Sequence, residues 1–349
     1  MSIIDYGWDE YFYTEYNEKL EQGMFPARII ADYGQTLRAA TDSGEILIQR
    51  PLNKNGDGMQ IAVGDWLLVQ YDNNAKANLI CTVLKRKTKF SRAAAGIEVR
   101  EQIVASNVDI VFLIQSLNRD FNMKRLERYM IAAWDSGAIP VVVLTKADLC
   151  DDVESKKAIV YETTPGVEVH AISCVTGEGI EEIRKYFTKG KTIALLGSSG
   201  VGKSTFVNLL AGEELLKTQG IREDDSKGRH TTTHRELLLL PDGGVVMDTP
   251  GMRSLLPWEA DEGMEIMFGD VEEIAGSCRF HDCSHGNEPG CAVREALESG
   301  RLEERRWKSW LKLQKEMAHL EAKKEGKLRF KEKQAGRHFA KFQKELRKH

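Results

Sequence analysis

Hydrophobic and polar positions fall along this chain in three successive rhythms. Residues 1–24 form a polar, aromatic-rich lead. Short runs at 27–31, 45–49, 65–71 and 79–84 then read as β-strands, punctuated by the turn formers Asp42-Ser43-Gly44 and Asn55-Gly56-Asp57-Gly58. Short strands with frequent turns and no long helical period predict a small all-β barrel over 25–92. Pattern alone leaves an oligonucleotide-binding-type and an SH3-like barrel both open. Lys85, Arg86, Lys87, Lys89 and Arg92 follow as a basic linker.

From about residue 101 strands and helices alternate. Apolar strands at 108–114, 140–144, 167–173 and 192–196 are separated by helical stretches at 124–136, 152–162, 179–187 and 203–211, and a hairpin at 236–240 and 245–247 closes the series. Continuous apolar strands between helices predict an α/β domain over 93–257 with a mostly parallel sheet. The third rhythm, 258–325, combines a cysteine cluster with a charged helix. Leu302, Trp310, Leu313, Met317 and Leu320 recur near one helical face, which predicts packing against the cysteine-rich segment. A basic tail occupies 326–349.

Composition narrows this picture. With 349 residues, 42% hydrophobic and 29% charged, the chain is an ordinary soluble protein of two or three domains. The net charge of −4 is unevenly spread: residues 301–349 hold 17 Lys and Arg against 7 Asp and Glu, and the first 300 hold 32 against 46. An acidic body with a basic end suits a polyanionic partner. No apolar run approaches the roughly 20 residues of a membrane span, and the acidic, aromatic start does not read as a signal peptide. The expectation is a cytoplasmic monomer with no membrane partner. Cys81, Cys150 and Cys174 are scattered and read as buried thiols.

The chemistry is concentrated in a few motifs. Gly197, Ser198, Ser199, Gly200, Val201, Gly202, Lys203 and Ser204 match the phosphate-loop pattern, between an apolar strand and a helix opened by Thr205. Glycines let backbone N–H groups face phosphate oxygens, Lys203 reaches the β- and γ-phosphates, and Ser204 ligates Mg²⁺. Upstream, a buried strand ends in Thr145, Lys146, Ala147 and Asp148. A buried carboxylate at Asp148 would accept the N1–H and exocyclic amine of guanine, and adenine would leave it unpaired. Lys146 would lie along the base plane, and Ser173 and Cys174 resemble a second base-contacting loop. Downstream, a strand ends in Asp248, Thr249, Pro250 and Gly251. Asp248 would hold Mg²⁺ through water and the Gly251 N–H would meet the γ-phosphate. Thr232 or Thr233, in Gly228-Arg229-His230-Thr231-Thr232-Thr233, would close over Mg²⁺. The motifs identify a GTPase that converts GTP to GDP and phosphate. Base-reading elements precede the phosphate loop, the reverse of the usual order, so the domain reads as circularly permuted, and its γ-phosphate sensor runs straight on into the C-terminal module.

Two further points concern metal and turnover. Cys278, Cys283, His285 and Cys291 supply three thiolates and an imidazole, a closed set for one structural Zn²⁺, with His281 the rival to His285. After Asp-x-x-Gly, where many GTPases carry a water-orienting Gln, stands Met252. His230 is therefore the catalytic candidate alongside Lys203. Arg329 to Lys348 interleaves basic residues with Phe330, Phe339 and Phe342, which suits phosphate contact and base stacking.

Permuted order, Gly-Arg-His-Thr-Thr-Thr, Asp-Thr-Pro-Gly and the cysteine cluster together resemble the RsgA family (also YjeQ or YloQ), over roughly residues 25–325. The resemblance implies an oligonucleotide-binding-type barrel and zinc on the four ligands. It also implies ribosome-stimulated GTP hydrolysis in late maturation of the small (30S) ribosomal subunit, with rRNA as partner. It carries no role for residues 1–24 or for the tail. The competing readings are a signalling switch with a protein effector and a P-loop ATPase or kinase.

Overall fold

The computed structural model describes residues 2–51, 60–94, 100–118, 120–164, 166–216, 235–248, 258, 260–286 and 288–346, without the side chains of residues 248 and 327–346. It divides into two compact units, Met1–Arg92 with Ile103–Gly263 and Ala93–Gln102 with Met264–His349.

The first unit opens with five antiparallel strands, β1 (Phe25–Asp32), β2 (Thr36–Thr41), β3 (Gly44–Gln49), β4 (Trp66–Asp72) and β5 (Ala77–Val83). Their order is β3-β2-β1-β4-β5, and β3 lies against β5, so the array curls back on itself. Strand β2 has no counterpart among the sequence-predicted strands.

The lead is not merely polar. It holds helix α1 (Glu10–Glu21), and Ile3, Tyr6, Trp8 and Phe12 are buried. Trp8 stacks on Phe12 at 5.1 Å and meets Trp66 edge-on at 5.0 Å. Arg28, fully buried on β1, donates to the carbonyls of Tyr6 and Asn107 and lies 5.5 Å from the Trp66 ring. Burial lowers its pKa to about 10. One guanidinium thus ties the lead, the β region and the entry to the next domain.

The basic linker is also partly consumed. Arg86 grips the buried Asp65 through Nε at 2.6 Å and Nη2 at 2.7 Å, and Lys87 pairs with Asp9. Residues 89–92 begin strand β6 (Lys89–Ala93), which pairs with β7 (Glu101–Ser106). Buried Asp65 and exposed Asp9 thus hold Arg86 and Lys87 of this linker within the fold.

The α/β part supplies β8 (Ile110–Ser116), α2 (Met123–Ser136), β9 (Ile139–Thr145), α3 (Val153–Thr163), β10 (Glu168–Ala171), α4 (Ile180–Arg184), β11 (Thr192–Gly197), α5 (Lys203–Ala211), β12 (Glu236–Leu239) and β13 (Val245–Asp248). Five strands run parallel in the order β10-β9-β8-β11-β13, and β12 returns antiparallel to β13. Strand β12 also meets β1 at Ala31↔Glu236, so the sheet is mixed and continuous with the N-terminal strands. Phe112, Phe206, Val143, Ile193 and Leu195 fill one core beneath it. Each fully buried ring stabilises the fold by roughly 1.5–3 kcal/mol.

The second unit contains α6 (Asp261–Gly276, broken at Phe268) from Met264 on, α7 (Ala292–Glu298) and α8 (Glu304–Leu346). Of the predicted face, Leu302 just before α8 and Leu313 and Leu320 on it are buried, whereas Trp310 and Met317 are only half-buried, and Trp307, outside that reading, is buried instead. The backbone of α8 stays helical into the stretch read as a tail, as far as Leu346. Among the described residues no helix is long and apolar enough to cross a membrane.

Candidate nucleotide site and metal centre

The phosphate loop leaves β11 at Gly197. A Cβ there would lie 2.6 Å from the Ile114 carbonyl on neighbouring β8, so only glycine lets the strands approach. Gly200 and Gly202 take φ of +80° and +96°, the left-handed backbone that wraps the loop. Helix α5 begins at Lys203, as the 203–211 reading has it, so Thr205 does not open the helix but is exposed on its first turn. The Lys203 ammonium donates to the Gly197 and Ser198 carbonyls, both at 2.7 Å, which fixes it at the mouth of the loop.

The upstream motif meets this loop directly. Thr145 Oγ1, at the end of β9, donates to the Val201 carbonyl at 2.6 Å. Lys146 adopts φ +60° and its Nζ donates to the Gly200 carbonyl at 2.8 Å. Parallel strands all present their C-terminal ends on one edge, so residues more than fifty positions apart converge there. The Ser173 hydroxyl accepts the N–H groups of Val175 and Thr176 at 3.2 Å each. With both lone pairs engaged, its proton goes to Asp148 Oδ1 at 2.5 Å.

Asp148 itself departs from expectation: it is exposed, not buried. A carboxylate here discriminates bases only once a base covers it. The scattered thiols differ too, since Cys81 is exposed and Cys150 and Cys174 are half-buried. Burial, and then the charge of Asp148, push the Cys174 thiol up.

The backbone of Asp248 ends β13, beside the phosphate-loop strand in the register Ala194↔Met247. His230, Thr232, Thr233, Gly251 and Met252 lie outside the described residues. One contact had no sequence signal. Asp120, in the loop after β8, accepts the Ser198 hydroxyl through Oδ2. A single acid in a polar loop matches no motif.

In the second unit the ligand atoms of Cys278, Cys283, His285 and Cys291 all lie within 4.8 Å of one another. His285 Nδ1 is 3.5 Å from the Cys278 sulfur and 3.9 Å from that of Cys291, and the rival His281 is exposed. Sulfurs around one zinc sit roughly 3.8 Å apart, given Zn–S bonds of about 2.3 Å. Burial opposes the Cys278 thiolate, but the backbone N–H groups of Val293 and Ala292 at the start of α7 lower its pKa. The His285 N–H favours the Cys283 thiolate, yet burial and the neighbouring Cys291 and Cys278 sulfurs push that thiol up to about 11. Three crowded thiols ionise together only around a cation, so the donor set fits a closed structural Zn²⁺ site.

Comparison with known proteins agrees with this geometry. A family model described as RsgA GTPase matches residues 83–258. The "Small ribosomal subunit biogenesis GTPase RsgA 2" of Listeria monocytogenes is 44% identical over 325 residues, covering 91% of this chain and 90% of that protein. This chain belongs to the RsgA GTPase family. A protein of the same description in Vibrio parahaemolyticus is 42% identical over 312 residues, covering 89% of this chain and 85% of that relative. Among solved structures, YjeQ from Thermotoga maritima superposes with a TM-score of 0.59 at 25% identity, over 84% of this chain and 99% of that one. A structure described as "YloQ, a circularly permuted GTPase" gives 0.56 at 24% identity, over 85% and 96%, which bears on the fold. The permutation is visible here: β9, which ends in Thr145, precedes the phosphate-loop strand β11 in the chain yet lies in the same parallel sheet. Like other members of the RsgA family, the chain is a GTPase.

Proposed function

We propose that this GTPase acts in late maturation of the small ribosomal subunit and that contact with subunit rRNA stimulates its hydrolysis. The observation that carries this is the near full-length match to relatives named for small ribosomal subunit biogenesis. The excess of Lys and Arg after residue 300 supports an RNA partner. The five-stranded N-terminal array, with β3 returning to β5, suits an oligonucleotide-binding-type barrel.

In this reading Asp148, oriented by Ser173, accepts the guanine N1–H and amine, while Lys146 lies along the base and Thr145, Ala147 and Cys174 line its pocket. Backbone N–H groups from Ser199 to Thr205 surround the phosphates, and Lys203 spans the β- and γ-phosphates. Ser204 and Asp248 hold Mg²⁺, which neutralises charge developing on the phosphate oxygens. Thr232 or Thr233 and Gly251 respond to the γ-phosphate. His230 orients the attacking water that Met252 cannot. Because the chain passes from Asp248 toward α6, GTP repositions the C-terminal module.

The test is GTP turnover with and without purified small subunits. Turnover should rise at least about tenfold, and the His230→Ala variant should lose that rise while keeping GTP affinity. Equal turnover with and without subunits refutes the assignment and favours the protein-effector switch.

A further inference from the structure

We infer that Asp120 is a positioning residue for GTP: it sets the phosphate-loop lysine through Ser198. Ser198 is the residue whose backbone carbonyl, with that of Gly197, receives the Lys203 ammonium at 2.7 Å. Its side chain donates to Asp120 Oδ2. The same oxygen takes Arg125 Nη2 at 2.9 Å, and that nitrogen also donates to the Asp120 carbonyl.

The loop that carries Asp120 is itself tightly held. The Asn118 side chain accepts the Ser116 hydroxyl at 2.7 Å and the Asp120 N–H at 3.0 Å. Gln115 exchanges two hydrogen bonds with the backbone of Asn122, and the Asn122 side chain caps α2 through the Arg125 N–H. An ammonium on a flexible stem finds the phosphates only as well as its carbonyl anchors are fixed. The carboxylate at Asp120 fixes one of those peptides from the side-chain direction. A charge-assisted hydrogen bond is about twice as strong as a neutral one, so it resists rotation of the Ser198 peptide. Arg125 neutralises the carboxylate, which keeps an acid beside the phosphate loop from repelling the nucleotide.

Lys203 reaches both the β- and the γ-phosphate, so its misplacement costs more with GTP than with GDP. This separates positioning from mere support of the fold, which would weaken both nucleotides alike. The experiment compares Asp120→Ala, Asp120→Asn, Ser198→Ala and the Asp120→Ala/Ser198→Ala double variant. Fluorescent GTP and GDP titrations and thermal melting are read for each. Asp120→Ala should weaken GTP about ten- to hundredfold and GDP by clearly less. Ser198→Ala should reproduce that selective loss, and the double variant should be no worse than either single change. Asp120→Asn, still an acceptor for Ser198, should recover most of the affinity. Equal losses for GTP and GDP, or additive losses in the double variant, overturn the inference. If Asp120→Ala does not fold, Ser198→Ala and Asp120→Asn decide it: the first must lose GTP selectively and the second must not.

Discussion

The nucleotide edge and the metal centre gather their residues in opposite ways. At the nucleotide edge, Thr145 meets Val201 and Lys146 meets Gly200 across an intervening strand, and the sheet holds them in register. At the metal centre four ligands fall within fourteen residues, on turns closed by Arg279 N–H to the Gly290 carbonyl and by Glu288 accepting the N–H groups of Ser284 and Gly286. The first site is preformed by a hydrophobic core; the second has little core and relies on its ligand set. A site on a sheet survives loss of its ligand, whereas a site of crowded thiols does not survive loss of its cation.

The sharpest way to break this comparison is to remove the metal. Chelation, or Cys291→Ser, should unfold the region around 278–298, because a structural zinc contributes roughly 10 kcal/mol or more to a module of this kind. Trp307, edge-on to His285 at 5.2 Å, provides a fluorescence signal for the loss. GDP affinity, which involves no repositioning of the module, should stay within about threefold, the size of a surface-level perturbation. Simultaneous loss of both sites would mean that they are one cooperative structure. A smaller effect is expected from Asp148→Asn. Guanine affinity should fall about ten- to hundredfold, and xanthine nucleotides should gain, since an amide donor now faces the xanthine 2-carbonyl. Unaltered base preference in competition titrations would remove Asp148 from base reading. The smallest effect concerns Glu168 on β10. Hydrogen bonds from Lys185 and then Tyr186 hold its pKa at about 2, below the ordinary 4.5. Its stabilisation is therefore complete above about pH 4.5 and is lost as pH falls toward 2. Acid melting curves of Glu168→Gln should converge with the parent in that window, and parallel curves would show that the pair contributes nothing.

What the sequence made legible follows from the same contrast. Strands β8, β9 and β11 are buried on both faces and read as apolar runs, and their motifs sit where parallel strands must end. The cluster of Cys278, Cys283, His285 and Cys291 was legible because softness and spacing are local properties. Strand β2 was not, since Thr-Leu-Arg-Ala-Ala-Thr has one large apolar residue and no aromatic, and depends on its neighbours. The lead misled for a related reason. Trp8 and Phe12 stand among acids and tyrosines, and only Trp66, far along the chain, gives them a core to join. Exposure of Asp148 could not be read because a carboxylate's burial belongs to the pocket around it. Asp120 was silent because its significance is a position across from Ser198, not a pattern.

The pairing of β1 with β12 has a consequence for how the protein is made. Ala31 waits for Glu236, so at roughly 5–20 residues per second about 10–40 s of synthesis separate the two halves of that junction. Meanwhile the end of β1 is an open template for stray pairing. The sheet cannot be completed from its amino-terminal side, and the nascent chain must leave most of its length outside one translating machine before the fold can close.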